Sequence, residues 1–240
     1  AARCHACPPY SGVSLMPLRL NFFAISLCTT LALSVPVLAQ HKHGEAKHHG
    51  PSFDDPEKWA KSFDSPERAA WQKPDDVVKA LALKPDARVA DVGAGTGYFA
   101  VRLARAVPQG TVYAVDLEPK MVSWLAQRAK SLGLDNMRAV QGAPGSPNLP
   151  ETVDLVLLVN VFHHIDARPA YFARLASSLR AGGRVAILDQ NESAPGGPPK
   201  HMRISIEQID AEMKQAGYAR SAQHGFLPRQ NFVVYEVVGK

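Results

Sequence analysis

Val89-Ala90-Asp91-Val92-Gly93-Ala94-Gly95-Thr96-Gly97-Tyr98-Phe99 joins a buried strand, a glycine turn and the start of a helix. Arg88 to Val92 is a short apolar run closed by glycine, the pattern of an inner parallel strand. Gly93, Ala94, Gly95 and Gly97 remove side-chain bulk where a ligand approaches the backbone, and glycine permits the positive φ of a tight strand-to-helix turn. From Tyr98 the apolar period becomes helical, with Val101, Leu103, Ala104 and Val107 available to pack. Such a loop leaves free N–H groups and the positive end of a helix dipole, which suit a nucleotide or a carboxylate. On these residues alone, a bare glycine turn without a ligand is the other reading.

The spacing is D-x-G-x-G-x-G, with Tyr98 where the dinucleotide pattern G-x-G-x-x-G has its third glycine. The string DVGAGTGYF resembles the first motif of class I S-adenosylmethionine-dependent methyltransferases, in which the loop lies against the methionine half of the cofactor. An NAD-dependent oxidoreductase is a rival that Tyr98 disfavours.

Outward from the loop the chain alternates strand and helix. Strands are predicted at 88–92, 111–116, 137–141, 153–161 and 184–189, and helices at 97–107, 119–132, 167–180 and 205–216. This alternation predicts an α/β fold with a doubly wound, mostly parallel sheet. Ala219 to Phe226 and Phe232 to Val238 then read as a C-terminal antiparallel hairpin turning at Leu227 to Asn231. The resemblance implies a seven-stranded Rossmann-like methyltransferase fold with strand order 3-2-1-4-5-7-6.

Strand ends carry the remaining candidates. Asp116 closes Val112-Tyr113-Ala114-Val115-Asp116, 19 residues after Gly97, where an acid accepts both hydroxyls of a ribose or is simply solvated. Glu118 reads as an acid at the start of the next helix. The resemblance implies a cofactor site of Asp91, Gly93, Ala94, Gly95, Gly97, Asp116, Leu117, Gly142, Ala143, Asn160 and Val161, with S-adenosylmethionine as cofactor. Ala143 departs from the family, which carries an aspartate there for the adenine amino group. Val153 to His164 resembles the fourth motif of small-molecule methyltransferases and places His163 and His164 past the strand tip. Either histidine is a candidate general base, since imidazole titrates near neutrality, or a loop anchor. Trp59, Trp71 and Gln72 are candidates for a lid over the cofactor, with packing of the two tryptophans on the sheet as the alternative.

Composition bounds the rest. The net charge of +5 is spread without a dense basic run, and no N-P-P-Y string follows the fourth strand, so nucleic acid is not an expected partner. A small-molecule methyl acceptor is. Cys4, Cys7 and Cys28 all precede residue 29, so the domain has no thiolate nucleophile and no metal site is expected in it. Residues 1–15 read as upstream sequence. Residues 16–39 read as a signal peptide with Arg19 in its n-region and Val37-Leu38-Ala39 before the cut, or as an uncleaved inner-membrane anchor. Either makes the domain exported, the periplasm being the expected compartment. Residues 40–52 form a linker rich in histidine (His41, His43, His48, His49), 53–84 a helical lid, and 85–240 the methyltransferase domain. A non-catalytic exported binding protein on the same fold is the second rival, motivated by Ala143 and by the cytoplasmic origin of the cofactor.

Overall fold

Helices cover both faces of one mostly parallel sheet. A computed structural model describes residues 53–196 and 199–239. The readings of residues 1–15, 16–39 and 40–52 lie outside the described residues. The strands are β1 (Arg88–Val92), β2 (Thr111–Asp116), β3 (Met137–Gln141), β4 (Val153–Val159), β5 (Leu179–Gln190), β6 (Tyr218–His224) and β7 (Gln230–Val237), ordered β3-β2-β1-β4-β5-β7-β6. The first five run parallel, and β7 pairs antiparallel with both β5 and β6. The expected strand order and terminal hairpin are both present.

The helices are α1 (Pro56–Phe63), α2 (Pro66–Gln72), α3 (Pro74–Ala80), α4 (Ala100–Ala106), α5 (Pro119–Ser131), α6 (Arg168–Leu175) and α7 (Ile206–Gln215). Alternation along each strand feeds two cores. Val89, Leu155, Leu157, Ala186, Leu188, Phe232 and Val234 meet Leu81, Leu103 and Leu125 on the α3–α4–α5 face. Ala90, Val156, Leu158, Val185, Ile187, Val233 and Tyr235 meet Phe172, Leu175, Ile209 and Met213 on the α6–α7 face. Each fully buried leucine or isoleucine contributes about 1.5–3 kcal/mol relative to exposure.

Several boundaries differ from the sequence reading: α6 ends at Leu175 rather than 180, β4 at Val159 rather than 161, and β7 starts at Gln230 rather than 232. The helix after the glycine loop starts at Ala100 rather than 97, because Gly97 at φ +90° cannot continue a right-handed helix. Strand β5 begins at Leu179 rather than 184. Val153 pairs with Leu179 but Leu155 pairs with Arg184, so Arg180 to Gly183 bulge from the ladder. The first three helices each carry proline in their first turn, as predicted, and Asp55 caps α1 by accepting from the Lys58 N–H (3.0 Å). The topology reverses between β1 and β4, which makes the carboxyl ends of these strands the natural ligand crevice.

Candidate active site

The loop after β1 is built around three positive φ angles: +72° at Gly93, +55° at Gly95 and +90° at Gly97. A Cβ at Gly93 would lie 2.3 Å from Val161 Cγ2, and one at Gly97 would lie 2.9 Å from Leu125 Cδ2. The N–H groups of Gly93 and Ala94 both donate to the Val115 carbonyl (2.9 Å each), folding the loop over the end of β2. The Gly95 N–H donates to Asp116 Oδ2 (2.8 Å), while Asp116 Oδ1 accepts from the Glu118 N–H (2.9 Å). Burial raises the Asp116 carboxyl above its ordinary range, against the pull of those same N–H donors. Each oxygen still has a free lone pair. Glu118 caps α5, as its position suggested.

Asp91 is 2% exposed, and its Oδ2 has no hydrogen-bond partner. Burial pushes its pKa up to about 7, and the Arg68 guanidinium only partly opposes that rise. A buried carboxylate oxygen without a donor calls for a cationic or N–H-bearing partner. At the tips of β2 and β3, Leu117 is 51% exposed and offers a bare apolar face. A Cβ at neighbouring Gly142 would reach Val115 Cγ1 at 3.0 Å. Ala143 exchanges backbone hydrogen bonds with Ser146 (2.8 and 3.0 Å) and has no side-chain polar group to offer.

The helical segment over this loop is arranged differently from the sequence expectation. The side chain meeting Gly95 is Phe63 of α1, 3.3 Å from where a Cβ would stand. Phe63 packs with Trp59 (5.1 Å between ring centroids), Trp59 with Phe53 (4.9 Å), and Phe53 reaches the exposed His164 ring (6.4 Å). Asp64, at the end of α1, accepts from Thr96 Oγ1 (3.0 Å) and from Arg128, which also donates to the Thr96 carbonyl (2.8 Å). Trp71 and Gln72 turn instead to the terminal hairpin. Arg229 stacks on Trp71 (5.3 Å), and Gln72 is fully buried against Gln230. The Tyr98 ring lies between the guanidinium groups of Arg68 (4.2 Å) and Arg102 (4.1 Å), which explains a bulky residue in place of a third glycine.

The β4–β5–β7 side is built mainly from amides, with one enclosed histidine–carboxylate pair. Arg68 Nε donates to Gln72 Oε1, Gln72 Nε2 to Gln230 Oε1 (2.9 Å), and Gln230 Nε2 to Asn160 Oδ1 (2.8 Å). Asn160 holds φ +57° at the end of β4, a conformation asparagine tolerates better than most residues. Val161 fills the space above Gly93. His163 is nearly enclosed, its side chain 4% exposed. Its Nδ1 lies 2.8 Å from Asp189 Oδ1, and its backbone N–H donates to Asp189 Oδ2 (3.1 Å). Asp189 thus fixes both the ring and the backbone of His163, while His164 faces outward. Sequence reasoning missed Asp189, Gln190 and Gln230. For Asp189 a signal existed, because it ends the strand next to the one that ends before His163.

An open groove of about 700 Å³ lies elsewhere, between the starts of α1 and α5, lined by Asp54, Glu57, Lys120 and Trp124. It contains none of the glycine-loop residues, since Phe63 covers that loop.

The methyltransferase-domain family matches residues 89–183, which run from β1 through the bulge of β5. Over that segment the chain is similar to methyltransferase domains. Among solved structures, a SAM-dependent methyltransferase from Aquifex aeolicus is 27% identical, with a TM-score of 0.71 over 77% of this chain and 99% of that one. An arsenite methyltransferase of Halobacterium salinarum is 32% identical over 48% of this chain and 30% of its own length. A trans-aconitate 2-methyltransferase of Deinococcus radiodurans is 28% identical over 64% of this chain and 56% of its own. The methyltransferase domain therefore spans about a third to a half of these two curated relatives.

Proposed function

We propose that this protein transfers the methyl group of S-adenosylmethionine to a small-molecule acceptor, releasing S-adenosylhomocysteine. The observation that carries the reading is the pairing of the glycine loop with Asp91. A loop whose glycines hold positive φ, with Val161 Cγ2 2.3 Å from where a Gly93 Cβ would stand, begins two residues beyond a buried carboxylate whose Oδ2 lacks a donor. The cofactor's methionine half brings an ammonium group and a carboxylate, and Asp91 suits the ammonium. Asp116 stands at the tip of β2, where its free lone pairs suit ribose hydroxyls. The exposed Leu117 face suits the adenine ring, with Gly142 leaving room beside it. Without an acid at Ala143, the adenine amino group is left to backbone carbonyls or water.

When bound, the cofactor supplies an electrophilic methyl group. The chain's own residues supply position and a dry enclosure, which can account for most of the rate in a displacement of this kind. Val161 holds the loop from the β4 side, and the Phe53–Trp59–Phe63 cluster shields it from water. His163, held by Asp189, is suited to orient the β4–α6 connection, and His164 is the more accessible base. Export by residues 16–39 is part of the same proposal, resting on sequence pattern alone. Fractionation of cells making the full chain tests it, and an unprocessed chain in the cytoplasm defeats it.

Calorimetric titration of the full chain tests the central reading. Micromolar S-adenosylhomocysteine binding with no NAD binding is the expected result. Failure to bind S-adenosylhomocysteine overturns the reading.

A further inference from the structure

The amide chain between α2 and the tip of β4 has a direction that chemistry imposes. An arginine side chain only donates hydrogen bonds. The group of Gln72 facing Arg68 Nε is therefore its oxygen, which leaves the Gln72 NH2 to face the Gln230 oxygen (2.9 Å). The Gln230 NH2 in turn faces Asn160 Oδ1 (2.8 Å). Flipping any one amide would set oxygen against oxygen or NH2 against NH2. The chain thus delivers a fixed polarity to its last member, and Asn160 presents its NH2 outward. Among the described residues, no hydrogen bond uses that NH2, and Asn160 is half-buried at the carboxyl end of β4.

Beside it lies the opposite function. Gln190 pairs directly with Gln230 across the β5–β7 ladder, so the two side chains share a face at close range. Gln190 Oε1 is buried and has no hydrogen-bond partner. Gln72 and Gln230 are 0% and 3% exposed, and such groups are costly to bury unless each is bonded. If they served packing alone, apolar side chains would do as well. An orphan acceptor and an outward donor, each on an immediate neighbour of Gln230, together suit a ligand group that does both.

We propose that Asn160 and Gln190 hold a hydroxyl group of the methyl acceptor, and that Arg68, Gln72 and Gln230 are positioning residues that orient the Asn160 amide. The hydroxyl oxygen accepts from Asn160 Nδ2, and its proton is donated to Gln190 Oε1. An oxyanion or a methyl ether has no proton for Gln190, and an ammonium group cannot accept from Asn160. The acceptor class is accordingly an uncharged alcohol, phenol or enol. This deepens the methyltransferase reading and rests on it.

The test uses the full chain labelled with 15N. In the free protein, the side-chain NH2 protons of Gln72 and Gln230 should exchange with solvent at least about tenfold more slowly than those of Asn160. With S-adenosylhomocysteine bound, phenol should shift the Asn160 side-chain amide signal and anisole should not. Asn160→Asp keeps the oxygen that Gln230 bonds and tolerates the positive φ, yet it should bind phenol at least about tenfold more weakly. Gln230→Glu keeps an acceptor for the Gln72 NH2 but sets oxygen against Asn160 Oδ1, so the Asn160 amide should turn its NH2 inward and weaken phenol similarly, with Gln72 still protected. A protected Asn160 NH2 overturns the proposal. So does a response indifferent to the hydroxyl, the absence of any response to either probe included. Failure of S-adenosylhomocysteine to bind strikes the methyltransferase reading, whereas the exchange pattern of the free protein judges the amide chain separately.

Discussion

The two halves of the sheet's carboxyl edge are built from different chemistry. The β3–β2–β1 half uses backbone and charge: three glycines at positive φ, the buried Asp91 and the strand-end Asp116. The β4–β5–β7 half uses neutral amides and an enclosed His163–Asp189 pair. The first half suits a ligand of fixed shape and charge. The second carries directional amide hydrogen bonds, with its one carboxylate, Asp189, already engaged by His163. The aromatic cluster of α1 and the Asp64–Thr96–Arg128 contacts tie the helical cover to the first half, and Gln72 ties it to the second.

The contrast can be broken most severely at Gly93. Gly93→Val places a β-branched side chain at φ +72° against Val161, and should abolish S-adenosylhomocysteine binding by calorimetry while costing about 3 kcal/mol in denaturant unfolding. Wild-type binding would show that the glycines are structural only.

Asp91 separates the halves by pH. The folded chain holds this proton up to about pH 7, whereas the unfolded chain releases it near 3.8. The folded state then binds the extra proton between those values, so this group's contribution to stability is full below the lower pH and is lost as pH rises through the upper one. Asp91→Asn should remove that decline, gaining about 2–4 kcal/mol at pH 8 relative to the parent. It should also weaken S-adenosylhomocysteine, whose ammonium loses its carboxylate. In the parent, affinity should rise with pH toward about 7 as Asp91 ionises, with protons released on binding. Unfolding curves across pH, and titrations in buffers of different ionisation enthalpy, read both effects.

Asp116→Ala should weaken S-adenosylhomocysteine by about 1.5–3 kcal/mol, losing charged hydrogen bonds and the anchor on the Gly95 N–H. The smallest change sharpens the comparison. Ala143→Asp should strengthen binding by about 1 kcal/mol if the adenine amino group lies beside it. Calorimetric affinities for both variants at one salt concentration test them.

How much of this was legible follows the same division. Asp91, the glycines and Asp116 are close in sequence, and each residue type is tied to a backbone or charge requirement, so spacing alone exposes them. The terminal hairpin was legible because β6 and β7 are joined by a short turn, whereas the strand order came from the resemblance. The amide chain was hidden, because Gln72 and Gln230 are 158 residues apart and Gln230 and Asn160 are 70 apart. A lone glutamine has no periodicity and reads as surface until a partner is seen. The cover candidates Trp59, Trp71 and Gln72 were spread over α1 and α2 for a related reason. Trp59 and Phe63 lie one turn apart on an amphipathic helix, and the sequence does not show whether such a face rests on the sheet or on a loop. The bulge at Arg180 to Gly183 was taken for a turn, because glycine marks either.

Strand β7 is the last of the seven in chain order, yet it lies inside the sheet between β5 and β6. A ribosome makes the chain in order, so β5 emerges long before the neighbour that will bond its open edge. Through that interval Ala186, Ile187 and Leu188 await Phe232, Val233 and Val234, and no nascent intermediate can yet include Gln230. Completion of both cores and polarity of the amide chain therefore depend on the same late segment, so that a chain stalled in synthesis before β7 could assemble the glycine loop but not the amide face beside it.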